Sequence, residues 1–240
     1  MNPNYFVLTK PNNINTNNKE IQQVFDYGES NRVFILPKIN INYYVKNGLF
    51  ESDLIEWSKQ FCDGNGVFLD VGGHTGTYAI NLADSVSEVH VFEPQRATYY
   101  ALCGGIALSG LSQKIRAHNF GLGSPEQVGH QTLNIVSVDG GGSSIQPQNG
   151  VLNKEDIEIR TLDEMSIDRV CFIKMDVEGN ELDVLKGGQQ TIRRSGYPRI
   201  LFESNTENRE LFHYLRENLG YSKIIQINGY ANMFLAVHNE

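Results

Sequence analysis

Five carboxylates stand at or just past the ends of apolar runs: Asp70, Glu93, Asp176, Glu178 and Glu203. Strand ends are where an open α/β sheet presents side chains to a ligand. Asp70 opens the segment Asp70-Val71-Gly72-Gly73-His74-Thr75-Gly76-Thr77, which follows an apolar run and leads into a helical pattern. Glycines let a backbone turn sharply and approach a ligand closely, and a helix start offers free N–H groups. The spacing Asp-x-Gly-x-x-x-Gly departs from the Gly-x-Gly-x-x-Gly of dinucleotide sites. A carboxylate in the position of Asp70 repels a pyrophosphate and suits a cationic amino group, such as that of S-adenosylmethionine. Glu93, followed by Pro94, comes roughly 20 residues later, the place of an acid that binds ribose hydroxyls. That acid serves NAD and S-adenosylmethionine equally well.

The third acidic segment is Lys174-Met175-Asp176-Val177-Glu178-Gly179-Asn180-Glu181. Asp176 or Glu178 is placed to take the proton of a substrate hydroxyl, and crowding among acids raises a carboxylate pKa toward a useful base. Glu203 joins them as a candidate. The same three acids are candidate Mg²⁺ ligands. Metal-free base catalysis is preferred, because no compact ligand motif is present. Glu181 reads as a helix-surface residue. His118, His130 and His213 are alternative bases, His118 reading as a core or surface residue of a strand. Cys62, Cys103 and Cys171 form no zinc-type pair; Cys171 reads as an inert core thiol, and the cysteine usage fits a reducing compartment.

These groups need a scaffold. Residues 11–18 are Asn-rich and read as a loop. Arg32–Leu36 and Ile39–Val45 read as strands, and Ser52 with Asp53 caps a helix through Phe61. Residues 1–62 therefore form a small strand-and-helix extension, and residues 63–240 the main domain. From Gly66 strands and helices alternate, implying a buried parallel sheet covered on both faces. The strands fall at Val67–Val71, Glu88–Phe92, Lys114–His118, Val170–Val177 and Arg199–Glu203, with a helix from Arg96 to Leu108. Between the third and fourth strands, Asp139-Gly140-Gly141-Gly142-Ser143-Ser144 links strand-like Gln131–Val138 and Asp156–Ile159, a loop suited to covering a site. Ser204 and Glu207 form a capping box for a helix to Leu219. Ser222–Ile227 and Asn232–Val237 flank the turn pair Asn228-Gly229, which predicts an antiparallel hairpin at the sheet's edge.

The chain of 240 residues is 40% hydrophobic, ordinary for a globular domain that needs no disulfide staples. No run of about 18 apolar residues occurs, so no spanning helix is expected. The N-terminus lacks the basic-then-apolar order of a secretory signal, and a cytoplasmic protein is expected. A net charge of −8 argues against a nucleic-acid partner, whose phosphates are bound by Lys and Arg.

Taken in order, the segments Phe68–Gly76, Val91-Phe92-Glu93-Pro94 and Ile173–Glu181 resemble the FkbM-type methyltransferases. Arg160-Thr161-Leu162-Asp163-Glu164 and Leu201-Phe202-Glu203-Ser204 resemble further landmarks of that family. The resemblance implies a doubly wound, Rossmann-like methyltransferase fold with a seven-stranded, mostly parallel sheet. It implies an S-adenosylmethionine-dependent O-methyltransferase acting on a hydroxyl, foremost of a sugar in a glycan or glycoconjugate, with a small metabolite or lipid hydroxyl as the alternative. Asp70, Gly72 and Gly76 would hold the methionine part of the cofactor, Glu93 the ribose, and Asp176 would lie beside the methyl group. Gly73, His74, Thr75, Thr77 and Pro94 complete the candidate cofactor set. Gly73-His74 departs from the family's usual Ala-Asn, so His74 either contacts the cofactor carboxylate or faces solvent. A nicotinamide oxidoreductase is disfavoured by the missing Gly-x-Gly-x-x-Gly, and a base-modifying nucleic-acid enzyme by the missing Asn/Asp-Pro-Pro-aromatic motif. A non-catalytic nucleoside-binding module is the remaining rival. The spare N-terminal strands are a candidate homodimer element.

Overall fold

The computed structural model describes residues 5–11, 31–204 and 208–238. Its centre is the apolar run Val67–Val71 (β3), buried along its whole length as a strand in the middle of a covered sheet must be. On one side lie Glu88–Phe92 (β4) and Ile115–His118 (β5); on the other, Val170–Met175 (β9) and Arg199–Glu203 (β10), all parallel. Met233–Val237 (β12) pairs antiparallel with β10, and Lys223–Gln226 (β11) antiparallel with β12. The seven-stranded order is β11-β12-β10-β9-β3-β4-β5, with the expected C-terminal hairpin at its edge.

Successive strand residues point to opposite faces, so the sheet divides two cores. Phe68, Val89, Val91, Phe172 and Leu201 belong to one. Val67, Leu69, Phe92, Ile173, Ile200 and Phe202 belong to the other, together with Val184 and Leu185 of Glu181–Lys186 (α5) and Leu211 of Arg209–His213 (α7). The first core also takes Ile80 of Thr77–Leu82 (α3) and Leu102 of Arg96–Leu108 (α4). It extends into the N-terminal region: Phe34 and Leu36 of Asn31–Pro37 (β2), Tyr44, Leu54 and Ile55. The fully buried Phe34 and Leu36 each contribute about 2 kcal/mol of burial. Ser109 Oγ accepts a hydrogen bond of 2.8 Å from the Val33 amide, fixing β2 against the end of α4. β2 also pairs antiparallel with Tyr5–Pro11 (β1).

The strand expected over Ile39–Val45 is instead the helix Ile41–Asn47 (α1). Alternation misled because Ile39 and Val45 are 65% and 76% exposed, while Tyr44 alone is buried. Pro37 ends β2, and Gly48, at φ +79°, stops α1 with its N–H on the Tyr44 carbonyl. Ser52–Ser58 (α2) follows, continuing as a tight turn to Phe61 as expected, but its N-cap is Glu51 and not the expected Ser52 or Asp53. Between β5 and β9 lies a small sheet: Gly121–Leu122 (β6), Asn153–Arg160 (β8) and Gly129–Ile135 (β7), in the order β6-β8-β7. Gln189–Arg194 (α6) was not anticipated; the Asp163 carboxylate caps it, accepting from the Gln190 and Thr191 amides at 3.1 and 2.7 Å. Glu207 of the expected capping box, and residues 12–18 of the Asn-rich stretch, lie outside the described residues. α7 is capped by Asn208, whose Oδ1 accepts from the Leu211 amide at 3.1 Å. Cys62, Cys103 and Cys171 are free thiols, and Cys171 is half-buried. Among the described residues, no helix is long and apolar enough to cross a membrane.

Candidate active site

Three neighbouring strands, β9, β3 and β4, deliver Asp176, Asp70 and Glu93 to one edge of the sheet. Asp70 is 1% exposed. Its Oδ2 accepts from the Ala79 amide of α3 at 3.0 Å, while Oδ1 has no partner among the described residues. Burial pushes its carboxyl up to about 6, against the pull of Lys174 and of the Ala79 amide. The glycine turn brings backbone against backbone. Gly72 has φ +79°, and a Cβ there would collide with the Asp176 carbonyl oxygen. Gly76, at φ +85°, is the residue from which α3 starts. Thr75 is buried beneath this turn and Thr77 begins the helix.

Glu93 is buried, and its two oxygens are aimed by backbone amides: Oε2 accepts from His74 at 2.9 Å and Oε1 from Gln95 at 2.8 Å. Burial outweighs those bonds and raises its carboxyl to about 7. Asn119 Nδ2 donates to the carbonyls of Glu93 and Pro94, both at 3.0 Å, holding the strand end in place. His74 sits at φ +48°, and its Nε2 lies 2.8 Å from the Asp139 carbonyl. A carbonyl only accepts, so Nε2 carries the proton, and burial keeps the ring's pKa below its ordinary value. His74 thus ties the cofactor-loop candidate to the Gly-rich loop, a partner the sequence did not suggest.

At the end of β9, the Lys174 ammonium is 3.1 Å from Asp176 Oδ2 and 3.4 Å from the Gly72 carbonyl. Burial opposes its charge, but Asp176, Asp70 and Glu51 more than compensate and raise its pKa. Crowding among acids does not raise the Asp176 carboxyl as expected: burial opposes its ionisation, yet Lys174 and a hydrogen bond from Glu203 hold it below its usual range. Glu203 responds in the opposite sense: burial and the adjacent Asp176 push it up to about 8. The two carboxyls are coupled and compete for a shared proton, with Asp176 favoured in its ionised form and Glu203 in its protonated form. Glu178 completes the cluster, and one oxygen of each of Asp176, Glu178 and Glu203 lies within 4.8 Å of the others. Glu181 is buried, not on a helix surface; its Oε1 accepts from the Val177 and Gly179 amides at 3.2 and 3.1 Å and shapes the turn carrying Glu178.

These groups surround a cavity of about 400 Å³. His74, Glu93, Pro94, Asp176 and Glu178 line it, as do Gly72, Gly73, Thr75 and Thr77. Asp70, Gly76 and Glu203 are not among its lining residues. His118, His130 and His213 do not reach it. His118 stacks on Phe92 and His90, where burial drives its pKa down to about 4.

Of the opposite wall, the sequence pointed to the Gly-rich loop but not to the N-terminal residues that face it. Asn40, Tyr44, Phe50 and Glu51 line that wall from the N-terminal region, facing Tyr78 and the Gly-rich loop. Tyr78 donates to Glu51 Oε2 at 2.9 Å, and its ring lies 5.3 Å from the Lys174 ammonium. Asn40 Nδ2 donates to Asp139 Oδ2 at 2.7 Å, and Ser144 Oγ donates to the Glu178 carbonyl at 2.7 Å. Both ends of the Gly-rich loop are thereby fastened across the cavity. Lys174 was findable, since a residue two before Asp176 on a strand shares its face. The N-terminal residues carried no such signal.

Residues 70–230 match the methyltransferase FkbM domain. The structure is similar to methyltransferase FkbM from Methylobacillus flagellatus KT, with 19% identity and a TM-score of 0.51 over 72% of this chain and 44% of that one. Less than half of that protein's length is thus matched. It is also similar to precorrin-6y C5,15-methyltransferase from Geobacter metallireducens GS-15, at 10% identity and TM-score 0.50 over 81% and 92% of the two chains. An rRNA methylase from Streptococcus thermophilus gives 13% identity and TM-score 0.48 over 77% and 92%. These likenesses are of fold. No curated protein matches the chain.

Proposed function

The chain belongs to the methyltransferase FkbM domain family, and from that premise we propose that it methylates a sugar hydroxyl of a glycan or glycoconjugate, using S-adenosylmethionine. The observation that carries this reading is that three adjacent strands bring Glu93 and Asp176 into the lining of one cavity and Asp70 close against its lining residue Gly73. The residues fit the cofactor. The buried, partnerless Asp70 Oδ1 suits an ammonium group, and the amide-aimed Glu93 suits the two hydroxyls of a ribose. At Gly72 and Gly73 a Cβ would collide with the Asp176 carbonyl oxygen and the Val91 side chain, so glycine lets the turn pack closely against the strand ends. The bound cofactor supplies an electrophilic methyl group, so alignment with the acceptor oxygen provides much of the rate.

A sugar hydroxyl is a weak nucleophile and needs its proton removed. Asp176, ionised beside Lys174, would accept that proton while the bound cofactor would supply the methyl group. Glu203 supports Asp176 through their hydrogen bond, and Glu178 orients the hydroxyl. Tyr44, Phe50 and Tyr78 offer apolar faces to a sugar ring on the acceptor side. In this division residues 63–240 carry the cofactor and the base, and residues 1–62 shape the acceptor side. A metal-free base is the preferred reading, and Mg²⁺ at the Asp176–Glu178–Glu203 cluster is the alternative.

Calorimetric titration with S-adenosylmethionine, S-adenosylhomocysteine and NAD, each with and without Mg²⁺, tests the cofactor. Binding of the first two, independent of Mg²⁺, is expected. Binding of NAD alone would overturn the reading, and silence from all three would favour a non-catalytic module. Methyl transfer to glycans, small polyols and lipid hydroxyls, compared side by side, then tests the acceptor class.

A further inference from the structure

Lys174 is 5% exposed and is the single Lys or Arg among the described residues lining the cavity. Around it stand Glu51, Glu93, Asp139, Asp176 and Glu178 in the lining, with Asp70 outside it. Lys174 pairs in register with Asp70 across β9 and β3, so the two side chains leave the same face of the sheet. Its ammonium contacts Asp176 Oδ2 and the Gly72 carbonyl, and it lies over the Tyr78 ring. A buried ammonium is expensive to desolvate, and packing alone would be served at least as well by an apolar side chain of similar length. A charge kept here at that cost points to a use for the charge.

Resting on the S-adenosylmethionine reading above, we propose that Lys174 is a built-in counter-ion that sets the site's preference between the sulfonium cofactor and its neutral-sulfur product. Methyl transfer discharges the sulfur. A cavity ringed by uncompensated carboxylates would hold the positive reactant far more tightly than the product. That surplus binding is lost on the way to the transition state and raises the barrier. By engaging Asp176 and Asp70, Lys174 withdraws part of this negative field while leaving enough to attract the cofactor. In a water-poor cavity the field of one ammonium reaches across several ångströms, so direct contact with the ligand is not required. Lys174 is on this account a positioning residue, acting through Asp176 and Asp70.

The test is calorimetric titration of wild type, Lys174→Met and Asp176→Asn with S-adenosylmethionine and S-adenosylhomocysteine. The quantity read is the ratio of the product's Kd to the reactant's Kd. Lys174→Met should raise that ratio about tenfold, and Asp176→Asn should lower it. Structural damage alone moves both affinities together and leaves the ratio unchanged. A ratio within twofold of wild type in a folded Lys174→Met protein, or one that falls, overturns the inference. Where melting shows that Lys174→Met does not fold, Asp176→Asn decides: an unchanged or raised ratio overturns it. Failure of wild type to bind either ligand overturns the cofactor reading itself, and this inference with it.

Discussion

The two walls of the cavity are built on different principles. One is the turn from β3 into α3, with the end of β4. There the geometry comes from backbone: glycines at positive φ, amides aimed at Glu93, an amide on Asp70, and Gly72 pressed against Asp176. The other wall is joined by side chains that precede α1 and α2, with Asn40 meeting Asp139 of the Gly-rich loop across 99 positions of sequence and Glu51 accepting from Tyr78 of α3. A wall made of local backbone must bind the same shape wherever the motif occurs. A wall made of distant side chains is free to change with the acceptor. On the proposed function, this difference gives cofactor recognition to the first and acceptor recognition to the second.

Asp176 stands where the two walls meet, so its replacement separates them most sharply. Asp176→Asn should lower turnover by about 10²–10³-fold while leaving S-adenosylhomocysteine affinity within about threefold. Turnover close to wild type on a genuine acceptor would remove Asp176 from the base role and leave the cofactor wall intact. Glu93→Gln addresses the backbone wall alone. It removes the charge but keeps the shape, and should raise the Kd for S-adenosylmethionine by about 10–50-fold through weakened charge-assisted bonds. An equal loss of acceptor affinity at saturating cofactor would show that the walls are not separable.

The same contrast explains what was legible in the sequence. The strands around Asp70, Glu93 and Asp176 were readable because buried parallel strands are near-continuous apolar runs, and because glycine spacing is a local signal. The terminal hairpin was announced by Asn228-Gly229, and β11 and β12 indeed pair antiparallel. Ile39–Val45 was misread because alternation over a few residues is shared by a strand and by a short helix with one buried residue. Gly48 was the overlooked helix stop. Asn40 and Glu51 were not identifiable as site residues, because each acquires its place only through tertiary contacts. Glu181 was misplaced because an acid at a helix start is usually solvated, whereas here its carboxylate replaces water for two turn amides.

Glu203 offers a test with a definite sign. Its carboxyl titrates near 8 in the folded protein and at ordinary carboxylate values when unfolded. Between about pH 4.5 and 8 the folded state keeps a proton that the unfolded state releases. Its contribution to stability is therefore fully present below about pH 4.5, falls as pH rises through that window, and levels off above 8. Glu203→Gln, which cannot ionise, should escape this loss. Its Tm should exceed that of wild type by a few degrees at pH 8.5 and approach it at pH 4.5, while turnover falls about tenfold. A Tm difference independent of pH would mean that Glu203 does not hold the shared proton.

The smallest effect expected is at Asn40, and it bears most directly on the separation of the walls. Asn40→Ala removes one hydrogen bond to Asp139, worth about 1 kcal/mol. The other fasteners of the Gly-rich loop, His74 on the Asp139 carbonyl and Ser144 on the Glu178 carbonyl, remain. Local opening should then become about fivefold more frequent, read as faster amide hydrogen exchange across residues 139–144 with exchange in β3 and α3 unchanged. S-adenosylhomocysteine affinity should stay within about twofold, because neither Asp70 nor Glu93 contacts Asn40. Acceptor KM should rise by a similar few-fold, since the loop spends less time closed over the cavity. If cofactor affinity fell in step with loop opening, the Gly-rich loop would belong to the cofactor wall. His74, the one side chain linking the turn to that loop, would then be the residue through which the two walls act as one.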